Sequence, residues 1–102
     1  MALERDYQPK LIKRLEKRFF GCVIQKLDTG YQQGIPDLLF LWGVHWAILE
    51  VKKKKPTKPS DFEPNQEWFI DVFNKMSFSA CIYPENEEEV LDAMESAFRA
   101  RG

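Results

Sequence analysis

The chain has 102 residues, 44% of them apolar and 30% charged, with a formal net charge of −1. That describes one domain, 1–102, of ordinary globular make-up, and it is too short for two. No apolar run could span a bilayer, and Met1–Lys10 lacks a signal-peptide core, so a cytoplasmic protein with no membrane partner is expected.

The charge is unevenly spread. Residues 1–55 carry a balance of +5 and residues 56–102 a balance of −6. One reading is a basic face suited to a polyanion, and the other is a fold that interleaves the halves and cancels it. Cys22 and Cys81 lie in apolar stretches and read as small buried hydrophobes. A single His and no Cys-x-x-Cys argue against a structural zinc site.

In chain order, Tyr7, Leu11, Ile12, Leu15, Phe19 and Phe20 have helical spacing over 7–20, with Asp6 as N-cap, Pro9 in the first turn and Gly21 as terminator. Cys22–Leu27 reads as a strand, and Asp28–Gly34 as a turn-rich loop. Asp37–Leu41 and His45–Val51 read as two strands of a hairpin, apolar on both faces and so central in a sheet. The lysine- and proline-rich Lys52–Pro64 reads as a loop. Pro64 opens a helix to Met76 with Trp68, Phe69, Val72 and Phe73 as its apolar stripe. Phe78–Tyr83 is a fourth strand. Asn86 and Glu89 form a capping-box pattern before a helix that buries Val90, Leu91, Met94, Ala97 and Phe98. The order α-β-β-β-α-β-α makes a mixed α/β domain, a small sheet flanked by helices.

The hairpin carries the chemistry. If Trp42 faces His45, paired indices sum to 87, and Asp37 then faces Glu50. Paired side chains share a face about 4.5–5.5 Å apart, and Lys52, two residues beyond Glu50, points the same way. Like charges so placed repel, more strongly beside apolar strands. A shared proton, an ion pair with Lys52 or a bound divalent cation would each relieve this. A plain strand-end salt bridge is the simpler alternative.

Gly34-Ile35-Pro36-Asp37, a hairpin, Glu50-Val51-Lys52 and then Gln66-Glu67-Trp68 resemble the PD-(D/E)XK nuclease superfamily, in particular its VRR-NUC branch. The resemblance spans residues 4 to 91 and implies a restriction-endonuclease-like core. It implies a metal-dependent endonuclease hydrolysing DNA phosphodiesters, with Asp37, Glu50 and the Val51 carbonyl holding Mg²⁺, for which Mn²⁺ substitutes. Lys52 would position or deprotonate the attacking water and steady charge on the phosphate. With two acids beside it, the orienting and electrostatic role is favoured. Glu4, in Glu4-Arg5-Asp6-Tyr7-Gln8, matches an early Glu of the family, and Gln66 matches its helix Gln. A solvated acid and a surface residue are their plain alternatives.

Lys53, Lys54, Lys55 and Lys58 follow the motif and are candidate phosphate contacts, with Lys10 and Arg14 extending that surface. His45 reads as structural, and Trp42 and Trp46 as core or dimer surface. Stand-alone members of the branch are short, often phage-encoded, and similar to Holliday-junction resolvases acting as homodimers. A structure-selective enzyme on branched DNA is therefore the leading expectation, in the host cytoplasm if phage-encoded, with no further protein partner. The alternatives are a nicking or general DNA endonuclease, and a catalytically silent nucleic-acid-binding module.

Overall fold

The computed structural model describes residues 4–27 and 32–102, with side chains from Asp6 onward. The expected turn Asp28–Tyr31 lies outside the described residues. Helix α1 spans Glu4–Arg18, strand β1 Val23–Lys26, β2 Leu38–Trp42 and β3 His45–Val51. Helix α2 spans Gln66–Met76, β4 Ser79–Ile82 and α3 Glu87–Ala100, with 3-10 turns at Pro59–Asp61 and Pro84–Asn86. The expected order of elements holds throughout.

The sheet runs β1-β2-β3-β4, so the two apolar hairpin strands are its centre. β1 and β2 pair antiparallel, as do β2 and β3, whereas β3 and β4 pair parallel across the α2 crossover. The hairpin register is Leu38↔Leu49, Phe40↔Ala47 and Trp42↔His45, the sum of 87 read from the sequence. Gly43 takes φ +62, the positive value that a II′ hairpin turn asks of its first central residue.

Strand alternation then sorts the side chains. Leu38, Phe40, Ala47, Leu49 and Val51 face a core completed by Tyr7, Leu11, Leu15 and Phe19 of α1 and its C-terminal turn, and by Val90, Leu91, Met94 and Phe98 of α3. Phe40 is the centre, edge-on to Phe19 at 5.2 Å and stacked on Phe98 at 6.2 Å. Each such ring buried stabilises the fold by roughly 1.5–3 kcal/mol. On the opposite face, α2 lies over β3 and β4, with Trp46 edge-on to Phe73 at 6.2 Å. Asp37 and Glu50 alternate onto this second face.

Local signals failed where tertiary contacts overruled them. α1 begins at Glu4, not after Asp6, and carries Pro9 inside it. Burial of Tyr7 and Leu11 on either side offsets the hydrogen bond that proline removes. Phe20 is 93% exposed, beyond the end of α1 and off its stripe. Pro64 precedes α2, whose N-cap is Asn65. Asn86 does not form the expected capping box. Its Oδ1 accepts the Tyr83 N–H at 2.8 Å and its Nδ2 donates to the Cys81 carbonyl at 3.0 Å, closing the turn behind it.

The charge segregation is partly cancelled between α1 and α3. Arg14 grips Glu87 through Nε and Nη2 at 2.5 and 2.7 Å, and the Tyr7 hydroxyl donates to the same carboxylate at 2.8 Å. Arg18 reaches Asp92 and Glu95. Arg14's hydrogen bond holds the Glu87 carboxyl below its ordinary range, despite partial burial. Stability from a depressed carboxylate is present above its unfolded pKa and is lost as pH falls through the folded one. Glu87→Gln is therefore expected to cost about 1 kcal/mol near neutrality, screened by Arg14's exposure. Urea unfolding at several pH values checks this. The difference from wild type should shrink as pH falls through the acid range, and a pH-independent difference would contradict the assignment.

Candidate active site

The site forms where the sheet's central hairpin opens. Asp37 stands immediately before β2, and its carbonyl accepts the Leu27 N–H at 2.8 Å, which ties it to the end of β1. Its Oδ2 accepts the Val51 N–H at 2.9 Å. Asp37 is thereby pinned from both neighbouring strands. Glu50 is 2% exposed, and strand alternation sets its carboxyl on the same face of the hairpin as that of Asp37. Lys52 Nζ lies 3.1 Å from Glu50 Oε2 and 5.4 Å from the centroid of the Phe62 ring. Its position beside Glu50 is the one strand alternation requires.

Burial pushes the Asp37 carboxyl above its ordinary value. The Val51 amide, the Glu50 carboxyl and the Lys52 ammonium pull it down, and the charge of Glu63 adds to the rise. Two acids held together at the edge of a hydrophobic sheet are a costly arrangement, relieved by a shared proton or a cation. Val51's N–H is turned toward Asp37, and in an extended strand its carbonyl lies on the same side. The donors gathered here are all oxygen: two carboxylates and one carbonyl. Among the described residues no group of three or more His, Cys, Asp or Glu gathers.

Gly34 brings the start of α2 to this place. Its φ is +97, and a Cβ there would fall 2.4 Å from the Pro64 carbonyl oxygen and 3.0 Å from Asn65. Only glycine lets the strand-entry loop pass so close to α2. Gln66 is buried, and its Oε1 accepts the Glu63 N–H at 3.3 Å, so its described hydrogen bond holds the helix start and does not go to Asp37 or Glu50. Glu4 opens α1, but its side chain lies outside the described residues.

Lys53, Lys54, Lys55 and Lys58 are exposed on the loop that follows. Lys52–Lys55, Pro56 and Asp61 enclose a pocket of about 160 Å³. The Asp61 carboxylate fixes this loop by accepting the Thr57 and Lys58 N–H groups at 2.8 and 3.3 Å, and the Thr57 bond leads in holding its carboxyl low. Lys10 is exposed on α1, whereas Arg14 is engaged with Glu87. His45 stacks on Phe98 at 4.9 Å, at the far end of the hairpin. Sequence reasoning missed Phe62 and Glu63, whose only signal was an aromatic and an acid interrupting a lysine–proline loop.

An Asp at the entry and a Glu-x-Lys at the exit of a central hairpin, on a mixed sheet between helices, match the pattern of PD-(D/E)XK nuclease cores that the sequence resembles. Within that class the fold is that of a VRR-NUC domain. A solved structure titled "VRR_NUC domain" superposes with a TM-score of 0.62 over 89% of this chain and 97% of that one, at 25% sequence identity. No family model matches the sequence, and no curated protein does. Among the described residues no helix is long and apolar enough to cross a membrane.

Proposed function

We propose that the protein is a Mg²⁺-dependent endonuclease that hydrolyses DNA phosphodiesters and selects branched DNA such as a four-way junction. The carrying observation is that the hairpin register puts Asp37 and Glu50 on one face, with Asp37 held by the Val51 amide at 2.9 Å and Lys52 3.1 Å from Glu50. The donor set fits the ion. Mg²⁺ prefers hard oxygen ligands, takes one or two carboxylates and keeps several waters, so Asp37, Glu50 and the Val51 carbonyl suffice without a third acid. Mn²⁺ fits the same donors. When bound, the cation supplies Lewis acidity toward the phosphoryl oxygen and the attacking water.

The chain's own residues do the rest. Asp37 is held by the Val51 amide, so its second oxygen is oriented before any ligand arrives. Lys52 sets an ammonium where negative charge develops as water oxygen adds to phosphorus and the bond to the leaving sugar oxygen breaks. The Phe62 ring and Glu50 fix its direction. Lys53, Lys54, Lys55 and Lys58 hold the phosphate backbone, with Lys10 at the margin, and binding therefore weakens steeply with salt. The α1–α3 ion pairs leave Arg14 the weaker candidate for that surface.

Selection of branched DNA is the finer part of this proposal. A two-fold dimer would present two such sites to a symmetric branch. The test is cleavage of a panel with matched sequences (four-way junction, flap, nicked, linear and single-stranded DNA), with and without Mg²⁺. Junction cutting that needs the metal and is fastest on the branch is expected. Equal rates on linear duplex would favour a general nuclease, and no cleavage with any divalent metal would favour a silent binding module.

A further inference from the structure

Trp68 departs from its expected place in a buried stripe. It is 61% exposed, while Phe69 beside it is buried. α2 presents Gln66, Phe69 and Phe73 to the sheet, and Trp68 falls off that line. Its ring is nonetheless braced, edge-on to Phe69 at 5.0 Å and 74°. It separates two open clefts. One, about 530 Å³, is lined by Gln32, Gln33, Asn65, Trp68 and Phe69. The other, about 540 Å³, includes Phe62, Glu63, Asn65 and Trp68. Both adjoin the proposed catalytic site. Phe62 lies beneath Lys52, and Gly34, three residues before Asp37, abuts Asn65.

Asn65 adds an independent observation. It stands at the N-cap of α2 with φ +69, yet its side chain makes no capping hydrogen bond, the usual service of an asparagine there. It lines the first cleft together with Gln32, Gln33 and the exposed Trp68. Three neutral amides offer both donors and acceptors, and none brings a charge. An aromatic face beside such groups suits a flat heteroaromatic ring with a mixed hydrogen-bonding edge.

We infer that Trp68 is the platform on which one unpaired nucleobase of the substrate stacks, with Asn65, Gln32 and Gln33 meeting its edge. The inference rests on the proposed nuclease function and sharpens it. A base free to leave the duplex beside the cut phosphate is what a branch point provides and an intact duplex does not. Stacking on an aromatic face tolerates any base, so the device selects structure without selecting sequence.

The test compares DNA binding by Asp37→Asn, which holds DNA uncut, with Asp37→Asn/Trp68→Ala and Asp37→Asn/Trp68→Phe. Fluorescence anisotropy is read on a paired duplex and on the same duplex carrying three unpaired thymines. Trp68→Ala should weaken binding of the unpaired DNA about tenfold and of the paired duplex less than about twofold, and Trp68→Phe should restore most of the loss. Circular dichroism and sedimentation should match the parent, since the side chain is exposed. Equal loss on both DNAs, loss on neither, or a changed oligomeric state pointing to a second copy on this face would each overturn the stacking role. A wild-type protein that cleaves DNA, with Trp68→Ala leaving the preference for unpaired over paired DNA unchanged, sinks this inference alone. A wild-type protein that neither binds nor cleaves DNA sinks the nuclease reading with it.

Discussion

Asp37→Asn is expected to lower DNA cleavage by roughly 10³-fold or more while leaving the fold intact and DNA binding nearly unchanged. Asparagine keeps the shape and can still accept the Val51 N–H, so the strand entry should hold. What it loses is one of the two anionic oxygen sources proposed for the cation. Glu50→Gln should be equally inactive for the same reason, though its burial makes the amide's fit in the sheet a second cost. The lysines proposed to meet phosphate lie on a separate loop pinned by Asp61, so binding should survive. Cleavage of a four-way junction in Mg²⁺, with binding measured beside it, checks this. Retained cutting by Asp37→Asn would remove Asp37 from the catalytic centre.

Lys52→Ala should lower cleavage by about 10²–10³-fold, the usual cost of one group aimed at transition-state charge. It should also destabilise the metal-free protein by roughly 3 kcal/mol, because a buried carboxylate loses its neighbouring ammonium. The two variants part company over metal. Asp37→Asn removes a proposed donor and should bind Mg²⁺ poorly. Lys52→Ala removes a competing cation beside Glu50 and should bind Mg²⁺ at least as tightly as wild type, with the ion recovering much of the lost stability. Lys52→Arg should not rescue cleavage, because a planar fork cannot replace a compact ammonium between Glu50 and the Phe62 ring. Normal cleavage by Lys52→Ala would reduce the pair to a salt bridge.

The hairpin was legible because a two-residue turn leaves few registers. Once Trp42 opposes His45, every later pair is fixed, down to Leu38 with Leu49, one step short of Asp37 and Glu50. Alternation then puts Lys52 beside Glu50 with no further information. The helices were less legible because periodicity reports a segment's own pattern and not the width of the surface it meets. Among the described residues α2 lies chiefly over β3 and β4, and Trp68 is left outside its buried stripe. Pro9 reads as a first-turn residue until the burial of Tyr7 and Leu11 is known. The lysine-rich loop gave no sign that Phe62 would meet Lys52, since that contact depends on how the Asp61 turn folds back. The charge segregation was real in sequence and half cancelled in space, where Glu87, Asp92 and Glu95 of α3 meet Arg14 and Arg18.

The most direct test is a titration of the wild-type protein and Asp37→Asn with Mg²⁺ or Mn²⁺ and no DNA, followed by the unfolding temperature. A ligand bound only by the native state must raise that temperature as its concentration passes the dissociation constant. Wild type should rise with either ion, and Asp37→Asn should stay flat. Equal behaviour of the two proteins, whether both rise or neither does, would contradict a divalent ion shared by Asp37 and Glu50.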